Sequence, residues 1–225
     1  MDWNFLAYPV DELPFVFLAL LIGFTVHEFS HAILADKFGD PTPRSMGRVT
    51  LNPRVHLDVL GTIFFLVIGI GWAKPVLVNR SRFASPRLMG ILVSIAGPLS
   101  NLILALISVI IYYALMRFGA VDSFSLGSKK ALAYFFEYMI GMNVLLFILN
   151  LIPFPPLDGY RILEDLLPRQ VMLRVKPYEQ WLFYAILLMF FIPPLRAVTL
   201  GPIFAMQHPI ILGMKGLAAG LLGMR

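Results

Sequence analysis

The sequence predicts an all-α polytopic membrane protein of about five to six transmembrane helices, with a small membrane-associated β-hairpin or sheet and a re-entrant segment. Three observations predict it. The 225 residues are 59% hydrophobic and only 14% charged, where an ordinary soluble domain carries roughly 25% charged residues. The mean hydropathy of +0.80 is more apolar than a soluble surface around a single core allows. The apolar runs are also too long for barrel strands, so helices must satisfy the backbone inside lipid. A solvated coil, a collagen-like fibre and an ordinary cytosolic enzyme are thereby excluded. The chain has no cysteine, which excludes disulfides and thiolate metal sites. Its net charge of +5 comes with no aromatic–basic stripe, so no nucleic-acid partner is expected; the expected surroundings are a lipid bilayer.

Taken in order, the first apolar run spans about Pro14 to Ala35. The start of the chain has no positive residues before that run, so it reads as a retained span and not as a cleaved signal. A polar stretch, Asp36 to Asp58, follows, with breakers at Gly39-Asp40-Pro41 and Leu51-Asn52-Pro53. Val59 to Trp72 is apolar but only 14 residues long, about 21 Å of helix against a hydrocarbon core of roughly 30 Å. Long runs then cover Leu88 to Met116 and Ala131 to Ile152, the second ending in Pro153-Phe154-Pro155-Pro156. The charged connector Asp158–Glu179 precedes two last apolar runs, Gln180 to Ile192 and Ile203 to Leu222, parted by Pro193-Pro194 and Gly201-Pro202. Residues 1–225 read as one membrane-embedded domain, since no hydrophilic insert is long enough for a soluble one.

The basic residues set the expected orientation. Lys37, Arg44, Arg48 and Arg54 precede the short run, and Lys74, Arg80, Arg82 and Arg87 follow it; Arg161, Arg169, Arg174 and Lys176 lie in the later connector. Positive loops stay cytoplasmic. Both flanks of Val59–Trp72 therefore belong on one side, and the run is expected to enter and leave without crossing. Gly47–Leu51 and Pro75–Asn79 are short and β-branched, and read as strands of a small sheet at the membrane surface.

The first span contains His27-Glu28-Phe29-Ser30-His31, an H-E-x-x-H pattern. Residues i and i+4 share a helix face, so His27 and His31 can reach one metal ion. Glu28 projects beside them as a general base for the attacking water. An acid inside an apolar span costs about 2.5–3.5 kcal/mol on insertion scales, which favours function over packing. Two imidazoles do not complete a site; a third ligand is needed. Asp158 is the stronger candidate, because the preceding prolines break the helix and Gly159 permits a sharp turn that aims the carboxylate into the bundle. His56, in a basic loop, and His208, near the end, are the other imidazoles.

Three separated segments, His27–His31, Ala96-Gly97-Pro98-Leu99-Ser100-Asn101 and Asn150–Gly159, in this order, resemble the site-2 protease family of intramembrane zinc metalloproteases. The resemblance is closest to its compact branch without PDZ or CBS domains, and it covers about Thr25 to Gly159. It implies one Zn2+ per chain held by His27, His31 and Asp158, with Glu28 as general base. It further implies that Asn150 and Asn101 contact the substrate backbone or the developing oxyanion. The implied activity is hydrolysis of peptide bonds within or next to transmembrane segments of membrane proteins. The enzyme would be multi-pass in the plasma (inner) membrane, its active site near the cytoplasmic face. Two other readings compete. A metal transporter would need further ligands along a pathway, and a silent membrane scaffold would be expected to lack one of the four central residues.

Overall fold

The computed structural model describes residues 7–69 and 71–224, and among them every regular element is helical. The elements are α1 (Leu13–Lys37), α2 (Thr42–Ser45), α3 (Pro53–His56), α4 (Val59–Ile68), α5 (Pro86–Arg117), α6 (Leu126–Asn150), α7 (Asp158–Leu166), α8 (Arg169–Val175), α9 (Glu179–Phe191), α10 (Pro193–Ala205) and α11 (Gln207–Leu221). Prolines open several of them: Pro14 and Pro86 stand in the first turns of α1 and α5, where a missing N–H costs nothing.

α1, α5 and α6 pack on one another and form the centre. Val16, Ala19, Leu20 and Phe24 of α1 meet Met139, Met142 and Leu146 of α6, with Phe65 of α4 closing that cluster. Ala105 and Val109 of α5 meet Phe136, Ile140, Val144 and Ile148 of α6, covered by Met214 and Ala218 of α11. Outward faces stay apolar: Leu92, Leu99, Ile103, Ile107 and Ile111 of α5 are exposed at the spacing of one helical stripe. Water would penalise that stripe and lipid would not.

Four segments are long and apolar enough to cross a membrane: Leu13–Lys37, Pro86–Arg117, Leu126–Asn150 and Pro193–Leu221. This corrects the expectation of five to six spans. The run Gln180–Ile192 was counted as one, but it folds as the 13-residue α9, about 20 Å long, because Pro193 and Pro194 cut it off.

The expected β-hairpin or sheet is also absent among the described residues, where a single isolated bridge joins Leu57 and Ala73. The reason lies in where the backbone donors go. Gly47 is left-handed (φ 66°), and the amides of Arg48 and Thr50 bond back to Pro43 and Arg48 carbonyls, so Gly47–Leu51 is turned. Pro75–Asn79 forms no regular element, and its donors are used elsewhere: the Val76 N–H donates to Glu28 and the Asn79 N–H to Asp40. Carboxylates occupy the donors a neighbouring strand would need.

The short apolar run forms α4, capped by the Asp58 side chain, which accepts from the Gly61 N–H at 2.9 Å, and ended by left-handed Gly69 (φ 77°). The chain then doubles back: a Cβ on Gly61 would stand 2.1 Å from the Trp72 carbonyl oxygen, and the Lys74 N–H donates to the His56 carbonyl at 2.8 Å. The chain therefore leaves and returns at the same end of the bundle, the end at which α1 finishes, α5 starts and α6 gives way to α7.

Candidate metal centre

His27 and His31 lie one turn apart on α1, and both rings are buried. The turn after α6 brings Asp158, the first residue of α7, against them. Asp158 Oδ2 is 3.0 Å from His27 Nε2 and 3.1 Å from His31 Nε2, and the two Nε2 atoms are 3.0 Å apart. Gly159 is needed for this approach. It acts through its size and not through a left-handed backbone, because a Cβ there would lie 2.4 Å from the Leu151 carbonyl oxygen. Gly97 of α5 serves the rings in the same way, since a Cβ would lie 2.3 Å from His31 Nε2 and 2.6 Å from His27 Nε2.

The other ring nitrogens fix the tautomers. His31 Nδ1 is 2.7 Å from the Val93 carbonyl oxygen, which can only accept, so Nδ1 carries the proton. His27 Nδ1 is 2.7 Å from Asn101 Oδ1. The Asn101 amide is oriented by its own donors, which reach the Gly23 carbonyl at 3.1 Å and Asn143 Oδ1 at 2.8 Å. Asn143 in turn donates to the Met139 carbonyl at 2.8 Å. Both Nε2 atoms are thus directed at each other and at a carboxylate, and each offers a lone pair when its ring is neutral. Two lone pairs and an anion converging in a buried space repel unless a cation lies between them. Three ligand atoms on one zinc ion stand roughly 3.3 Å apart, close to the separations seen. His27, His31 and Asp158 are, among the described residues, the group able to hold a metal ion, and the donor set of two neutral imidazoles and one carboxylate suits zinc.

Glu28 is buried next to this cluster, its Oε2 accepting from the Val76 N–H at 2.9 Å. Asn101, expected to face substrate, is fully buried with every amide group engaged on His27, Gly23 and Asn143. Asn150 ends α6 and its Nδ2 donates to the Leu146 carbonyl at 3.0 Å; no hydrogen bond joins it to the cluster. His56 is buried apart from the centre, bonded through Nε2 to the Thr50 carbonyl at 2.7 Å. Sequence reasoning missed Asn143, whose signal was a lone amide inside an apolar span. It also missed the Val93 carbonyl and the Val76 N–H, for which side-chain identity carries no signal.

The profile of peptidase family M50 matches residues 15–134 and 127–192, containing all of these groups. The chain belongs to peptidase family M50. This is the site-2 protease family that the three motifs resemble, and with its four apolar helices the protein is an integral membrane metalloprotease. YwhC of Bacillus subtilis, named as a candidate zinc metalloprotease, is 47% identical over 201 residues, covering 88% of this chain and 90% of its own length. Rip2 of Mycolicibacterium smegmatis, named in the same way, is 28% identical over 181 residues (78% of this chain, 66% of its own). Rip2 of Mycobacterium tuberculosis is 28% identical over 189 residues (82% and 69%). No solved structure matched the chain.

Proposed function

We propose that this M50 member is a zinc-dependent intramembrane endopeptidase cleaving within or next to transmembrane segments of membrane-protein substrates. One observation supports it above the others: the two Nε2 atoms and the Asp158 carboxylate converge, buried, inside an apolar helix bundle. His27, His31 and Asp158 hold the ion, and Asn101 and Asn143 keep His27 in its ligating tautomer. When bound, zinc polarises the scissile carbonyl and acidifies the attacking water. Glu28 takes the proton from that water and delivers it to the leaving amine. The Val76 N–H holds the carboxylate in place while it waits. One Asn150 Nδ2 N–H is held by the Leu146 carbonyl, and the second is left to donate to the developing oxyanion. We place the centre near the cytoplasmic face of the plasma membrane, because the basic loops lie at its end of the bundle. A transporter would need a second ligand cluster, and none was found among the described residues. A silent scaffold would not be expected to keep His27, Glu28, His31 and Asp158 together.

Glu28→Gln separates binding from chemistry. The variant is expected to keep zinc, measured by mass spectrometry, while cleavage of a synthetic transmembrane peptide falls to background. Alanine at His27, His31 or Asp158 is expected to lose the metal itself. Turnover by Glu28→Gln, or full zinc occupancy in Asp158→Ala, would contradict these roles. For the side of the membrane, Ser45→Cys and Ser81→Cys are each expected to react with an impermeant thiol reagent from the cytoplasm alone. The native chain lacks cysteine, so labelling has no background.

A further inference from the structure

A cavity of about 500 Å³ runs from His31 to the surface, walled by Val76–Asn79 on one side and by Ser94 on the other, with Arg80, Arg161 and Glu164 at its mouth. The charges there are unevenly matched. Arg80 Nη1 is 2.9 Å from Glu164 and 3.3 Å from Asp165 Oδ1, and Lys176 is 3.5 Å from Glu164. Glu164 and Asp165 of α7 are thus taken by Arg80 and Lys176. The Arg161 guanidinium has no ion pair or hydrogen bond among the described residues, although it lines the same space. It sits three residues after Asp158 on α7, which puts it on the same helix face as that residue. Its position is therefore fixed relative to the metal centre and does not depend on a mobile loop.

Resting on the endopeptidase reading above, we propose that Arg161 determines specificity by binding a substrate carboxylate, an Asp or Glu side chain close to the scissile bond. One helical turn and the length of an arginine side chain correspond to roughly three residues of extended peptide, so the acid lies within about that distance of the cut. Arginine suits the task, because its planar fork binds carboxylate through two parallel hydrogen bonds. Arg80 does not serve, since its charge is already spent on Glu164 and Asp165.

The test uses the full zinc-loaded chain in neutral phosphatidylcholine vesicles, with matched synthetic transmembrane peptides. These carry Asp, Asn or Lys at each of the three positions on either side of the cut. The wild type is expected to show kcat/KM about tenfold higher for the best Asp peptide than for its Asn counterpart. That ratio is expected to fall to about one in Arg161→Gln, to persist in part in Arg161→Lys, and to reverse in favour of the Lys peptide in Arg161→Glu, all with zinc content retained. Equal cleavage of Asp and Asn peptides by the wild type would overturn the proposal. So would a loss in Arg161→Gln that is the same for all peptides, or one seen only when anionic lipid is added, which would mark Arg161 as a headgroup contact. If the wild type cleaves no peptide at all, the endopeptidase reading fails and takes this proposal with it.

Discussion

Two polar clusters sit within a few turns of each other, and they are built on opposite rules. Around His27, each amide and imidazole nitrogen that is not a ligand has a partner: Asn101, Asn143, Gly23, Met139 and Val93 form a closed set. Around Arg80, the set stays open. Asp165 Oδ2 is buried without a partner, against Gly90, where a Cβ would lie 2.4 Å from it. The Arg161 guanidinium nearby has no ion pair or hydrogen bond among the described residues. A satisfied buried network specifies one arrangement, and a partly satisfied one carries an unpaid desolvation cost. The first suits a centre that must hold an ion in one geometry. The second suits a mouth whose charges can still be matched by an incoming chain.

The sharpest way to break the first cluster is Gly97→Ala. Its methyl would have to occupy the space of both Nε2 atoms, so zinc occupancy is expected to fall to near zero, as measured by mass spectrometry on the purified protein. Asn101→Ala comes next. It leaves all three ligands but frees the His27 ring to change tautomer and leaves the Asn143 oxygen without its donor. Loss of such a supporting partner costs about 10- to 100-fold in metal affinity or activity. A chelator titration is expected to show that weakening, and an unchanged affinity would show that packing alone orients His27.

The second cluster predicts a smaller effect of opposite sign. Burial pushes the Asp165 carboxyl up to about 6. The folded protein therefore holds this proton more tightly than the unfolded chain, whose carboxyl titrates near the ordinary value of 3.8. Stability from this group is present below pH 4, falls as pH rises toward 6, and is flat above. Asp165→Asn is expected to flatten that slope and raise Tm by a few degrees at pH 7.5, read from thermal unfolding between pH 4 and 8. A Tm lowered at all pH values would mean that the Arg80–Asp165 pair outweighs the burial of its charge.

The grouping of His27, His31 and Asp158 was legible because it depends on spacing. His27 and His31 need only one helical turn, and Asp158 follows a run of prolines that must end α6. The supporting half was not, because it depends on which helices touch. The resemblance implies a substrate contact for Asn101, while its partners in the fold are 42, 74 and 78 residues away. The sheet was misread for a related reason. β-branching suggested a strand at Pro75–Asn79, but Glu28 and Asp40 take the Val76 and Asn79 amides that would pair it. The count of spans went wrong at Gln180–Ile192, where composition indicated a crossing and the double proline left it too short.

The hydrogen bond from Val76 to Glu28 has a consequence for any mutational survey of this enzyme. The donor is main chain, so replacing Val76 with alanine, or with almost any other residue, leaves the N–H in place. Proline alone deletes it. The hydrogen-bond donor to Glu28 is thus encoded by the route of the chain between α4 and α5. Side-chain scanning passes over it without a signal, and sequence comparison can register it only as a position where proline never occurs.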